Sequence, residues 1–81
     1  MTSQGSAARH DQRVRDLQIR GEMIRLGQLL QHAGLADSGG EAKRLLADGA
    51  VTVNGEPELR RGRQLHPGDV VAVGEEQVEL R

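Results

Sequence analysis

Eighty-one residues with 11 Lys and Arg against 12 Asp and Glu, a net charge of -1, are enough for one small domain. There is no Phe, Trp, Tyr or Cys, so the core must be aliphatic and neither a disulfide framework nor a thiolate metal site can form. Ten Leu, seven Val and two Ile suffice for one compact core; no run approaches membrane-spanning length and no apolar signal stretch opens the chain, a pattern that leads us to expect a cytoplasmic protein.

Residues 1–13 are polar and show no apolar period, which predicts a disordered tail ahead of a domain spanning residues 14–81. Leu17 and Ile19 alternate with Gln18 and Arg20, a weak period-two signal for one short strand. Leu26, Leu29, Leu30 and Ala33 then recur at i, i+3, i+4 and i+7, the stripe of a helix over residues 26–33. Gly34 suits a left-handed cap, with Leu35 placed to cover it. A second helix is expected over residues 39–48: Ser38 and Glu41 form an S-x-x-E capping box, Ala42, Leu45 and Leu46 make the inner face, and Gly49 ends it. Leu35-Ala36-Asp37 is too short for anything but a corner, so the helices must pack on each other.

At Gly49 the period changes from helical to alternating. Val51 and Val53 alternate with Thr52 and Asn54, and Asn54-Gly55 is a strong type I′ hairpin signal. The return strand, near residues 56–59, carries Pro57 and must be short or at an edge. Pro67-Gly68 marks a turn, residues 70–73 predict a buried strand, and residues 77–80 close a last hairpin over Gly74-Glu75-Glu76. The fold class expected is α+β: two packed helices followed by a small, mainly antiparallel sheet.

Catalysis has little to work with. His10, His32 and His66 are not spaced as a metal pair, no serine sits in a nucleophile elbow, and Asp48 and Asp69 look structural. Gly39 and Gly40 precede Lys43 too closely for a nucleotide-binding loop, though they leave backbone N–H groups bare where an RNA phosphate can bind. The expectation is a non-enzymatic, monomeric protein that takes no cofactor, metal or small-molecule substrate.

The basic cluster is the stronger candidate. Lys43, Arg44, Arg60, Arg61 and Arg63 place five cations in residues 43–63, against Asp48, Glu56 and Glu58, while Glu75, Glu76 and Glu79 make the tail acidic. A solvated charge run is the bland explanation, but three arginines in four residues beside two helical cations exceed what solubility requires. Lys43 and Arg44 lie ~100° and ~150° from the inner face of their helix and so project outward. Single-strand binders stack bases on aromatic rings, which this chain lacks. Recognition would go through phosphates, 2′-hydroxyls and shape, which suits folded or double-stranded RNA.

In order, the chain carries Arg25, Leu26, Leu29, Gly34, Ser38, Ala42, Lys43, Leu45, Gly49, Val51, Val53, Asn54, Gly55, Pro67, Gly68, Asp69 and Val71. This arrangement resembles the alpha-L RNA-binding domain named for ribosomal small-subunit protein four, whose pattern runs R-L-x-x-L, G, S-R-x-x-A-[RK]-x-L, G-x-V-x-V-N-G and P-G-D-x-[VI]. The resemblance covers about fifty residues. It implies that the two helices and the adjoining loop present a basic surface to ribosomal or transfer RNA, through Arg25, Ser38 and Lys43. Gly39 stands where the family has arginine, which removes one phosphate contact. The cluster Arg60, Arg61 and Arg63 is added by charge alone. The competing expectation is a protein-interaction module that docks an acidic partner on the same patch.

Overall fold

The computed structural model describes residues 14–81. The elements in chain order are β1 (Val14–Leu17), β2 (Ile24–Arg25), α1 (Leu26–His32), α2 (Gly39–Ala47), β3 (Val51–Val53), β4 (Glu56–Pro57), β5 (Gln64–Leu65), β6 (Val70–Val73) and β7 (Glu76–Leu80). The expected tail, residues 1–13, lies outside the described residues.

Both helices form where the leucine spacing places them. Leu26, Leu29 and Leu30 are fully buried, and Gly34 and Gly49 adopt positive φ (76° and 74°) to end the helices. Behind Gly34 the N–H groups of Leu35 and Ala36 both donate to the Leu30 carbonyl, and behind Gly49 the N–H of Ala50 donates to Leu45. One orphan carbonyl of each last turn is thus satisfied from beyond the glycine. Ser38 caps α2 by accepting from the Glu41 N–H at 3.1 Å. The Glu41 carboxylate reaches one residue further back than a capping box requires, accepting from the Asp37 N–H at 2.6 Å. Leu45, expected inside, is only half-buried; Ala42 and Leu46 carry that face into the core.

The sheet differs from expectation in three ways. First, it does not wait for the helices. Its order is β1-β7-β6-β3-β4, and β1 precedes both helices, running parallel to β7 with Val14 opposite Gln77 and Leu17 opposite Leu80. Three of the four residues of β1 are exposed, so it carries no apolar pattern; it is held by the ladder that β7 offers along its edge. The weak strand signal fell on Leu17 and Ile19, but the strand stops at Leu17, and Ile19 packs into the core beyond it. The remaining pairings of this sheet are antiparallel.

Second, a two-stranded antiparallel pair joins β2 to β5, Ile24 opposite Leu65 and Arg25 opposite Gln64. Two-residue strands carry no periodicity, yet this pair ties the start of α1 to the segment after the arginine cluster. Third, β4 stops at Pro57. The Glu58 N–H still donates to the Val51 carbonyl at 3.1 Å, but the Glu58 side chain turns inward and Leu59 is left 63% exposed. In β6 only Val71 is fully buried, because the sheet covers the core with one face and the alternate residues point away.

The core is a single aliphatic cluster, with Leu26, Leu29, Leu30 and Leu46 from the helices against Val51, Val53, Val71, Val78, Leu65 and Leu80 from the strands. Among the described residues no helix is long and apolar enough to cross a membrane.

Candidate functional site

Two polar clusters stand on this frame. The first joins the Asn54-Gly55 hairpin to the Pro67-Gly68-Asp69 turn. Asn54, at φ 53°, donates through Nδ2 to Asp69 Oδ1 (3.1 Å) and accepts on Oδ1 from the Val70 N–H (2.9 Å). The other Asp69 oxygen accepts from the His66 N–H at 2.8 Å. Burial alone would raise the Asp69 pKa. The His66 N–H, the Asn54 amide and the positive charge of His66 and Arg63 outweigh burial and hold the carboxyl below its usual range. All four side-chain polar atoms of Asn54 and Asp69 are engaged within the fold, so these two motif residues act structurally.

The second cluster surrounds the segment after Glu58. Glu58 is 7% exposed, and its carboxylate accepts from Arg60 Nε (3.2 Å), the Arg60 backbone N–H (3.0 Å) and Arg63 Nη1 (2.9 Å). Hydrogen bonds from the Arg60 side chain, then from its backbone, then from Arg63 lower the Glu58 pKa to about 2, against the burial that would raise it. Arg60 and Arg63 are therefore engaged inside the loop. The shape this imposes presents the loop's carbonyls to α1: Arg63 accepts from the Leu26 N–H at 2.8 Å, and Arg61 from the Gly27 N–H at 2.9 Å. Two of the free N–H groups at the start of that helix are satisfied by the arginine loop itself.

Arg61 is different. Its aliphatic stem lies directly on Gly27, where an added Cβ would come within 2.5 Å of Arg61 Cγ, and its guanidinium has no ion-pair partner among the described residues. Arg25 is also without an ion pair among these residues; its Nη1 donates to the Gly62 carbonyl at 3.1 Å. Arg25, Gln28, Gln31, Gly39, Arg61 and Gly62 line a groove of about 350 Å³, floored by Gly27 and Ala42. Gly39 therefore borders the groove, and Lys43, four residues on and ~40° round the helix, shares its side of α2. Arg44 lies ~140° from Gly39 and faces elsewhere. A second, more open hollow on the other side of Gly62 is lined by Arg60, Gly62, Arg63 and Gln64.

Of the residues singled out in the sequence, Arg25, Gly39 and Arg61 meet in one groove with Lys43 beside it. Arg60 and Arg63 lie across Gly62, tied to Glu58. Ser38 is occupied as a helix cap, and Arg44 points away. Sequence reasoning missed Gln28 and Gln31, whose i, i+3 spacing on the polar side of the first helix was the available signal. It also counted Glu58 only as an opposing charge and missed its role, though it stands two residues before Arg60 and five before Arg63. Among the described residues no group of three or more His, Asp or Glu could hold a metal ion.

The S4 domain family model matches residues 17–81. The chain is 54% identical over 52 residues to the probable ribosome maturation protein RlbA of Bacillus subtilis (strain 168), a match covering 64% of this chain and 73% of that protein. It is 44% identical over 54 residues to the small ribosomal subunit protein uS4m of Schizosaccharomyces pombe, covering 67% of this chain but only 16% of that larger protein.

Proposed function

Because this chain belongs to the S4 domain family, whose model matches residues 17–81, we propose that it binds structured RNA, ribosomal or transfer RNA, and does so through phosphate contacts without catalysis. The observation that carries this reading is the convergence of Arg25 and Arg61, neither ion-paired among the described residues, on one groove beside Lys43. The name of the B. subtilis relative, which speaks of ribosome maturation, supports an RNA of the ribosome as the partner. A guanidinium forks onto phosphate in a way an ammonium cannot, so the two arginines supply directed contacts and Lys43 a point charge.

The test is a salt titration on a fully paired RNA hairpin. With three to four phosphate contacts releasing ~0.7–0.9 counterions each, affinity falls roughly 20- to 150-fold between 50 and 200 mM salt. Lys43→Ala removes about one contact from that slope, and Arg44→Ala leaves it close to unchanged. A flat salt response, with tight binding to an acidic protein instead, would replace this reading by the protein-partner one.

A further inference from the structure

The groove has more than charge. Gln28 accepts the Arg25 backbone N–H on Oε1 at 3.2 Å, and its Nε2 donates to no acceptor among the described residues. The Gln31 amide makes no hydrogen bond among these residues and stands over Gly39, with Nε2 3.3 Å from where a Cβ of that residue would be. These are planar groups with donors and an acceptor to spare, at the wall of a hollow whose floor is glycine and alanine. A phosphate would use only half of this: it offers only acceptors, so it could take the amide N–H donors but would leave the Gln31 carbonyl oxygen unpaired. A nucleobase edge offers both donors and acceptors, and an arginine plane can stack on a base where no aromatic ring is present. The groove's volume, about 350 Å³, sits at the small end of the roughly 300–1,000 Å³ that small-ligand sites occupy.

From this we infer that the groove receives one unpaired nucleobase of the bound RNA, extruded from a bulge or loop. The base lies with its face against the Arg61 guanidinium, in place of the phosphate contact that Arg61 makes on a fully paired stem, and its edge is read by the Gln31 amide and Gln28 Nε2, while Arg25 and Lys43 hold the adjoining phosphates. The inference rests on the RNA-binding reading and adds a base-recognition element that the charge pattern does not contain. Gly39 is what admits the base: a long side chain there would meet the Gln31 amide and occupy the hollow.

The experiment compares three hairpins of identical stem with the wild-type chain: one fully paired, one with a single bulged adenosine, and one with an abasic residue at the bulge. The expected result is that the bulged adenosine binds about tenfold tighter than the abasic bulge, the scale of one stacked and hydrogen-bonded base. With 2-aminopurine in the bulge, emission should rise on binding, because the base leaves its stacked neighbours for a groove without aromatic rings. Exposed Gln31 is then changed to Leu, and the ratio of bulged to abasic affinity is measured, so that losses common to both RNAs cancel. The ratio should fall well below the wild-type value without reaching one, because the Arg61 plane and Gln28 Nε2 remain. Equal affinity for bulged and abasic hairpins, or an unchanged ratio in Gln31→Leu, overturns the base site while salt-dependent binding of the paired hairpin keeps the RNA-binding reading. Failure of all three hairpins to bind overturns both.

Discussion

The Asn54–Asp69 corner and the Arg25–Arg61 groove both bring polar side chains together from separate parts of the chain, but the corner closes on itself and the groove does not. At the corner, both polar atoms of the Asn54 side chain and both oxygens of Asp69 have partners in the fold. At the groove, the Arg61 guanidinium and the Gln31 amide have none among the described residues. The Asn54-Gly55 and Pro67-Gly68-Asp69 parts of the motif pattern thus hold strands in register, while the groove combines Arg25 of that pattern with Gln28, Gln31 and Arg61, which the pattern does not specify. Glu58 stands between the two regimes. It consumes the charge of Arg60 and Arg63 to shape the loop that delivers Arg61 to the groove. Of the three arginines in four residues, two are therefore paired with Glu58 and one, Arg61, has no ion-pair partner among the described residues.

This division can be broken most sharply by removing Arg25 and Arg61 together. Each phosphate hydrogen bond to a charged group is worth ~1.5 kcal/mol at the low end, so the double alanine variant binds a paired hairpin roughly 100-fold more weakly, read by fluorescence anisotropy. A loss of only twofold would place recognition elsewhere. The opposite variant, Asn54→Ala, removes two exposed-corner hydrogen bonds and forces a Cβ-bearing residue without a compensating side chain into positive φ. It costs ~2 kcal/mol, lowering Tm by about 8–16 °C for a domain of this size, while the salt slope of RNA binding stays as in the wild type below the melt. A changed slope would show that the corner touches RNA directly.

Ser38→Ala separates capping from contact at the next level. The loss of one N-cap oxygen costs ~1 kcal/mol and shifts Tm by about 4–8 °C, with hairpin affinity measured well below Tm nearly unaltered. An unchanged melt with weakened RNA binding would reverse that assignment.

The contribution of Glu58 changes with pH only in acid. The Glu58 carboxyl is held at about 2 in the folded chain against an ordinary 4.5, so its ionisation stabilises the fold fully above pH 4.5 and this contribution is lost as pH falls toward 2. Thermal melts of wild type and Glu58→Gln should therefore converge between pH 4.5 and 2, and be furthest apart at neutral pH. Curves that stay parallel across that range would mean that the carboxylate does not organise the loop. Charge clustering alone treats Arg60, Arg61 and Arg63 as equivalent; the pairing with Glu58 predicts that reversing Arg60 or Arg63 lowers the melting temperature and that reversing Arg61 chiefly weakens RNA binding.

What the sequence determined by itself is whatever depends on neighbours a few residues apart. The leucine stripe of α1, the Ser38 cap, the glycine ends at 34 and 49 and the Asn54-Gly55 turn are set by backbone geometry and by side chains within one or two turns of each other, so local spacing is sufficient to place them. The family resemblance was legible for the same reason, since its pattern is a string of such local signals. Tertiary structure alone decided the rest. β1 has no apolar alternation and exists because β7 presents an open ladder some sixty residues later in the chain. The β2–β5 pair is two residues long on each side, too short for any period, yet it sets the arginine loop on α1. Which arginines are paired follows from where a buried carboxylate points, and a groove bounded by one face of α1, one end of α2 and a loop between strands has no representation along the chain until long-range packing brings those three together.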